Sequence, residues 1–390
     1  MSTMLRGNWN YPTTIWAGPG RIAELAVACA RAGIDQPLLI TDEGLAGSPM
    51  IASAVAALGD AKLFSAVRGN PALRHVEAAL AAYHAGGHDG VVAFGGGSAL
   101  DVGKVVAFMS GQSRPLWDFE DVGDWWTRAD AAGIAPVLAV PTTAGTGSEV
   151  GRASVILNEE THQKKIIFHP LMLPRIVISD PELTVGLPRA ITAATGIDAF
   201  VHCFEAFCAP GFHPLADGIA LEGMRIIKRF LPRACANGAD IEARAQMLAA
   251  ATMGATAFQK GLGAVHAIAH PVGSWFNTHH GLTNAVILPY VMTHNRAAIA
   301  EKSDVIGRLL DLPTRGFEGL LGWVLELRRE LGIPHALADL KVGVENAAVI
   351  GAEAAIDPSA SGNPIPVDAA VLERIFRAAV AGDLKAVPQA

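Results

Sequence analysis

Long apolar runs are missing from this sequence: no stretch of about 18 uninterrupted apolar residues occurs, which argues against a membrane-spanning helix, although 51% of the residues are apolar. The N-terminal segment, Met1 to Pro12, has no apolar core region and no small-residue cleavage site, so a secretory signal is not expected there. No block of Lys and Arg stands out either. With a formal net charge of −7, the chain lacks the positive footprint that a nucleic-acid binder needs. Its four cysteines, Cys29, Cys203, Cys208 and Cys235, show no C-x-x-C spacing. They form neither a disulfide framework nor a zinc finger and read as reduced, mostly buried thiols. These absences together predict a cytoplasmic protein whose partner is a small molecule, with no membrane and no nucleic acid involved.

What is present organises into two parts. A chain of 390 residues is too long for one ordinary core and fits two domains. The first half alternates strand-like runs with alanine-rich helical stretches. Pro37 to Thr41, Val91 to Phe94, Pro136 to Val140 and Ile176 to Ser179 read as strands, with helices such as Ile51 to Leu58 and Leu73 to Ala85 between them. Such alternation implies a parallel α/β sheet of Rossmann-like type, with helices on both faces. Beyond Pro188 the pattern turns helical: Arg189 to Phe207, Pro214 to Phe230, Ala243 to Phe258, Val265 to His270 and Phe317 to Leu331. The segment Asp180 to Pro188, with two prolines and a glycine, is a natural joint. The boundary is therefore expected near Leu187, giving an α/β domain over 1–187 and an all-helical domain over 188–390. Asp357 to Pro366 reads as an exposed loop.

In the first half, strand Val91 to Phe94 runs into Gly95-Gly-Gly-Ser98 and then into a helix carrying Asp101 and Lys104. Glycines let a ligand approach the backbone, and the free N–H groups of a helix N-terminus favour a pyrophosphate. The spacing is not G-x-G-x-x-G, and a tight strand-to-helix turn would use the same residues. A second polar loop, Pro141 to Glu149, follows the strand Pro136 to Val140. Open α/β sheets bind ligands beyond the carboxyl ends of their strands, where both loops are expected. Asp42, just past the strand Pro37 to Thr41, is placed to accept from ribose hydroxyls and to repel a 2′-phosphate, which favours NAD over NADP; a helix N-cap is the alternative.

In the second half, Asp198 and His202 are four apart in a helical run and share one face. His266 and His270 repeat the spacing, and His280 follows ten residues later. One carboxylate with three imidazoles suits a borderline cation such as Zn²⁺ or Fe²⁺ better than Mg²⁺ or Ca²⁺. Any one of these histidines alone would more often be structural. Their clustering in an apolar region is what points to a metal, because buried imidazoles need partners. His270 lies one turn beyond His266, where an unligated imidazole could relay a proton; donation to a backbone carbonyl is the competing role. Pro271 is expected to end that helix.

These motifs resemble the iron-containing, group III alcohol dehydrogenases of the dehydroquinate synthase-like superfamily. The resemblance rests on GGGSALDVGK at Gly95 to Lys104, PTTAGTGSEV at Pro141 to Val150, DPELT at Asp180 to Thr184, ATGIDAFVH at Ala194 to His202, and GAVHAIAHPVGSWFNTHHG at Gly263 to Gly281. It covers the chain from Pro12 to about Asn295 and, more loosely, the tail. It implies Asp198, His202, His266 and His280 as metal ligands and His270 as a further active-site histidine. It also implies an NAD site lined by Asp42, Asn70, Gly97, Ser98, Thr142, Thr143, Val150, Lys165 and Leu183. The implied fold has an N-terminal α/β domain, a C-terminal helical domain and an active site between them, and the implied assembly is a homodimer. The implied reaction is metal-dependent, NAD-linked hydride transfer between an alcohol and its aldehyde or ketone, with Fe²⁺ or Zn²⁺ as the metal. A metal-independent maleylacetate reductase-type enzyme and a dehydroquinate synthase-like lyase are the alternatives.

The sequence also departs from the family pattern. The segment Phe258 to His266 is one residue shorter than in many members, and His279 stands where a proline is frequent. Lys260 and Arg152 are candidates to meet a carboxylate on the substrate.

Overall fold

The computed structural model describes residues 7–9 and 13–389; the reading of Met1 to Pro12 as free of a leader concerns residues that, apart from 7–9, lie outside this range. The chain divides into two compact units. The first comprises Met1–Thr143, Gly147–Leu187 and Ala239–Leu248, and the second Ala144–Thr146, Pro188–Gly238 and Ala249–Ala390.

The first unit is built on a sheet of seven strands. In chain order the strands of this unit are β1 (Gly7–Trp9), β2 (Thr14–Ala17), β3 (Pro37–Asp42), β4 (Lys62–Val67), β5 (Gly90–Gly95), β6 (Val137–Pro141), β7 (Ala153–Asn158), β8 (Gln163–Phe168) and β9 (Ile176–Ser179). The sheet order is β1-β2-β9-β6-β5-β3-β4. All pairings are parallel except that of β1 with β2. The helices α1 (Leu25–Ala32), α2 (Pro49–Ala57), α3 (Leu73–Gly86) and α4 (Gly97–Met109) connect the strands.

β5 is buried along its whole length, as a strand covered on both faces must be. Val92 and Phe94 point into a cluster with Leu25, Leu39, Leu138 and Ile178. Val91 and Ala93 point the other way, onto Gly103 of α4, where an added Cβ would stand 2.5 Å from the Ala93 Cβ. All four strands expected from sequence are present. The antiparallel hairpin of β7 and β8 and the edge strand β4 are additions, since their alternating polar residues (KLFSAV, QKKIIF) lack the continuous apolar runs that marked the central strands.

The second unit is helical: α5 (Arg189–Cys208), α6 (Pro214–Ala236), the later part of α7 (Ile241–Ala257), α8 (Ala264–Phe276), α9 (His280–His294), α10 (Ala300–Leu309), α11 (Gly316–Leu331), α12 (Ala347–Ile356) and α13 (Ala369–Ala381). α5 packs on α6 and α9, and α8 on α9 and α12. Among the described residues, α5 is the one helix long and apolar enough to cross a membrane, yet 94% of its apolar window is buried inside the protein. It is the central core helix of its unit.

Pro271 does not end α8, which continues to Phe276. A proline inside a helix frees one carbonyl and costs about 3 kcal/mol; the fully buried Val265, Ile268 and Val272 provide the packing that offsets it. The segment after α12 is likewise not an exposed loop. Pro358–Gly362 forms a short 3-10 turn, with Ser359, Ala360 and Asn363 buried. Asn363 exchanges amide hydrogen bonds with Asn295 at 2.8 and 2.9 Å, which fixes this polar stretch in the interior.

Candidate functional site

In the first unit the carboxyl ends of β3, β5 and β6 gather the polar residues that the sequence singled out. Gly95 pairs in register with Pro141, and the Thr142 N–H donates to the Gly95 carbonyl at 3.0 Å. Gly95 has φ +154, and a Cβ there would lie 2.8 Å from the Ala99 Cβ and 3.0 Å from Asp42 Oδ2. Only glycine fits this crossing. The start of α4, with Gly97 and Ser98, follows directly. A Cβ on Gly96 would touch the Thr143 methyl at 3.4 Å. Asp42 Oδ1 accepts from Leu45 N at 3.1 Å, so one oxygen caps the following turn while the other faces Gly95. Burial raises the Asp42 carboxyl above its usual range, with backbone N–H groups opposing.

The loop after β6 is braced against α4. Asp101 accepts from Ser148 Oγ at 2.6 Å and from Val155 N at 3.0 Å. Lys104, 1% exposed, donates to the Ala153 carbonyl. Burial pulls its ammonium below the usual range, while Asp101 and Glu149 oppose this. Both residues of the GGGSALDVGK helix therefore serve to hold two loops in register. The remaining residues expected around a dinucleotide are more scattered in environment. Val150 is buried next to these loops, and Asn70 sits in a left-handed conformation at φ 52. Lys165 on β8 pairs with Glu120 at 3.0 Å, and Leu183 packs into the hydrophobic core. A glycine-lined strand end leading into a helix N-terminus is the shape that a pyrophosphate requires.

In the second unit, α5 carries Asp198, His202 and Glu205 at helical spacing on one buried face. α8 contributes His266 and His270, and α9 begins with His280. Gly281 lets α9 start against α5, since a Cβ there would meet the Ala194 carbonyl at 2.8 Å and the Asp198 Cβ at 3.0 Å. As a result one ligand atom from each of Asp198, His202, His266 and His280 lies within 4.8 Å of the others. The His202 and His266 rings stack at 4.8 Å, and His280 Nε2 stands 3.9 Å from Asp198 Oδ1. His270 stacks on His280 at 5.5 Å.

Residues that the sequence reading did not single out complete this cluster. Asn284 Nδ2 donates to Asp198 Oδ1 at 2.7 Å and lies 3.1 Å from Nε2 of both His266 and His280. Its Oδ1 is buried without a hydrogen-bond partner, so the amide is held in place by the donor atoms around it. Those atoms, a carboxylate oxygen and imidazole nitrogens, buried except at the His280 side, are the donor set of a Zn²⁺ or Fe²⁺ site, and the residues fit such an ion. Glu205 Oε2 meets His266 Nδ1 at 2.6 Å, and Asp357 Oδ2 meets His270 Nδ1 at 2.7 Å.

Electrostatics divide the imidazoles. Burial pulls His202 down to about 4 against the pull of Asp198, so it is neutral, the form that binds metals. For His266 burial acts in the same direction, but the hydrogen bond and charge of Glu205 outweigh it and hold the ring above its ordinary value. For Asp357 burial acts upward, and the charge and hydrogen bond of His270 together with the Ser359 bonds prevail, leaving the carboxyl depressed. A carboxyl lower in the folded than in the unfolded state stabilises above the ordinary carboxylate range and loses that contribution as pH falls through its folded value. We expect the melting temperature of the wild type to fall more steeply than that of Asp357→Asn as pH drops below about 5. Parallel melting curves for the two proteins would contradict this.

His279, which departs from the family pattern, and Lys260 and Arg152, the two candidates to meet a substrate carboxylate, each contact other parts of the chain. His279 caps α9, its Nδ1 accepting from Leu282 N at 3.3 Å. Lys260 bonds Asp217 and the Phe207 carbonyl at the end of α5, and Arg152 lies over the Phe168 ring at 5.6 Å.

Comparison with known proteins agrees with this chemistry. The family model described as iron-containing alcohol dehydrogenase matches residues 12–181, and that of the Fe-containing alcohol dehydrogenase family, C-terminal, matches residues 192–380. A 4-hydroxybutyrate dehydrogenase of Cupriavidus necator is 37% identical over 94% of this chain and 98% of its own length. An NAD-dependent methanol dehydrogenase of Bacillus methanolicus is 31% identical over 92% of this chain and 95% of its own. The crystal structure of a 1,3-propanediol oxidoreductase superposes with a TM-score of 0.88 at 32% identity, covering 94% of this chain and 97% of that one. The chain belongs to the iron-containing alcohol dehydrogenase family and is an oxidoreductase of the alcohol dehydrogenase type.

Proposed function

We infer that the chain catalyses reversible hydride transfer between NAD and an alcohol or its aldehyde or ketone, with Asp198, His202, His266 and His280 as the metal-holding set and His270 as the proton-passing residue. The observation that carries this reading is the convergence of those four side chains, drawn from three helices, within 4.8 Å. When bound, the divalent metal supplies a Lewis acid for the substrate oxygen and NAD supplies the hydride acceptor. The protein's own residues do the rest. Asp198 and three imidazoles fix the donor geometry. The bond from His270 Nδ1 to Asp357 leaves Nε2 as the nitrogen able to take up the alcohol proton and release it. Asp42, Asn70, Gly97, Ser98, Thr142, Thr143, Val150, Lys165 and Leu183 are proposed to line the dinucleotide site.

The test is a spectrophotometric panel of alcohols and aldehydes, including 4-hydroxybutyrate, 1,3-propanediol and methanol, with NAD(H) on protein reconstituted separately with Fe²⁺ and Zn²⁺. Full activity after complete chelation would point instead to a metal-independent reductase, and absence of net NADH production to a lyase. Cofactor choice has its own test. A carboxylate at position 42 repels a 2′-phosphate, and like-charge contacts cost several kcal/mol. Asp42→Gly is therefore expected to raise NADP over NAD preference by about tenfold or more; an unchanged kcat/KM ratio would remove Asp42 from the ribose site.

The family resemblance supports a homodimer, to be read from light scattering. Cys29, Cys203, Cys208 and Cys235 are buried thiols not joined in disulfides, and a cytoplasmic location is proposed on the cysteine pattern read from the sequence.

A further inference from the structure

We propose that Glu205 is a positioning residue that fixes which nitrogen of His266 faces the metal and, with the same carboxylate, anchors the helix that carries it. This rests on the reading of His266 as a metal ligand.

Glu205 occupies the last turn of α5, on the same face as Asp198 and His202, and is 4% exposed. Both of its oxygens are engaged by the start of α8. Oε1 accepts from the Val265 N–H at 2.8 Å, and Oε2 meets His266 Nδ1 at 2.6 Å. The first turn of a helix has N–H groups with no partner inside it. No side chain at the N-cap, Gly263, supplies one. The Ala264 N–H donates to Asn363 Oδ1 at 3.3 Å and the next N–H to Glu205, so α8 is capped from distant parts of the chain.

An ionised carboxylate can only accept hydrogen bonds. Nδ1 of His266 must therefore carry a hydrogen, and in the neutral, metal-binding ring the lone pair is then on Nε2. That lone pair faces the cluster, since Nε2 lies 3.1 Å from the Asn284 amide nitrogen that also bonds Asp198. Histidine ligands commonly donate their far N–H to a carboxylate, and loss of that partner weakens metal binding 10- to 100-fold. Glu205 adds a second constraint. By holding the adjacent backbone N–H it ties the position of the ring to the position of its helix.

The test uses Co²⁺ alone as the probe, with affinity measured by chelator competition on the full chain. Glu205→Gln keeps the volume but offers one acceptor oxygen to two donors, the Val265 N–H and the His266 Nδ1–H, so the joint hold on ring and helix is lost in either orientation of the amide. It should bind Co²⁺ roughly 10- to 100-fold more weakly, while NAD affinity is unchanged. His266→Ala serves as the companion. If His266→Ala weakens Co²⁺ binding and Glu205→Gln does not, Glu205 has no positioning role and the metal site stands. If neither variant weakens it, the metal reading itself fails. A measurement on the wild type covers the case in which Glu205→Gln does not fold: ¹⁵N-histidine NMR of the Zn²⁺-loaded protein, with His266 assigned through its alanine variant. The proposal requires a protonated Nδ1 on His266, and a metal-bound Nδ1 would overturn it.

Discussion

His266→Ala is expected to lower metal-dependent turnover by about a thousandfold or more, while NAD binding is retained. A Lewis acid at the substrate oxygen supplies several kcal/mol of charge stabilisation, and each 1.36 kcal/mol is about a factor of ten in rate. The substitution takes one donor from a set whose atoms converge within 4.8 Å. It does a second thing that separates it from a simple loss of a ligand. Glu205, bonded to His266 Nδ1 at 2.6 Å and nearly fully buried, would keep the Val265 N–H but lose the imidazole. Stripping the partner from a buried charge costs about 3–5 kcal/mol, so the metal-free variant should also melt markedly lower than metal-free wild type. His280→Ala provides the contrast, because His280 sits at the more accessible start of α9, its side chain 26% exposed. We expect it to lose the metal with a smaller loss of apo stability. Full turnover in metal-stripped His266→Ala would sink the mechanism, and equal melting temperatures for the two variants would sink the account of Glu205.

The parts of this cluster that could be read from sequence are those whose signal is local. Asp198 and His202, and again His266 and His270, are spaced by a helical turn, and that period survives folding because each pair sits inside a single helix. The strand-glycine-helix junction at Gly95 is legible for the same reason. What was not legible is held by long-range pairing. Glu205 finds His266 61 positions away, and nothing in a helical Glu near the end of an apolar run marks it as buried. Asp357 meets His270 across 87 positions, from a segment whose prolines, serines and glycine imitate a surface loop. Asn284 is one turn beyond His280, yet an Asn in a helix has no single meaning until its neighbours are known. Pro271 misled in the opposite sense. Local chemistry says stop, but packing of α8 on α9 and α12 decides otherwise.

Gly95→Ala is expected to mirror His266→Ala, weakening NAD binding while leaving Co²⁺ affinity at the wild-type value. The native φ of +154 is one that a side chain rarely adopts, and the new methyl would stand 2.8 Å from the Ala99 Cβ and 3.0 Å from Asp42 Oδ2. Backbone strain of this kind costs about 1–3 kcal/mol, and overpacking about 1–3 kcal/mol more. β5 cannot easily yield, because Gly95 is paired to Pro141 and its carbonyl accepts from Thr142. The relief has to come from α4 sliding outward, which moves the N–H groups of Gly97 and Ser98 away from where a pyrophosphate would sit, or from Asp42 turning off the ribose position. Either movement should weaken NAD by about 100-fold, equivalent to some 2.7 kcal/mol, measured by fluorescence titration of NADH. If NADH binds Gly95→Ala as it binds the wild type, the glycine loop after β5 is a tight turn and nothing more, and the dinucleotide has to be sought elsewhere on the sheet.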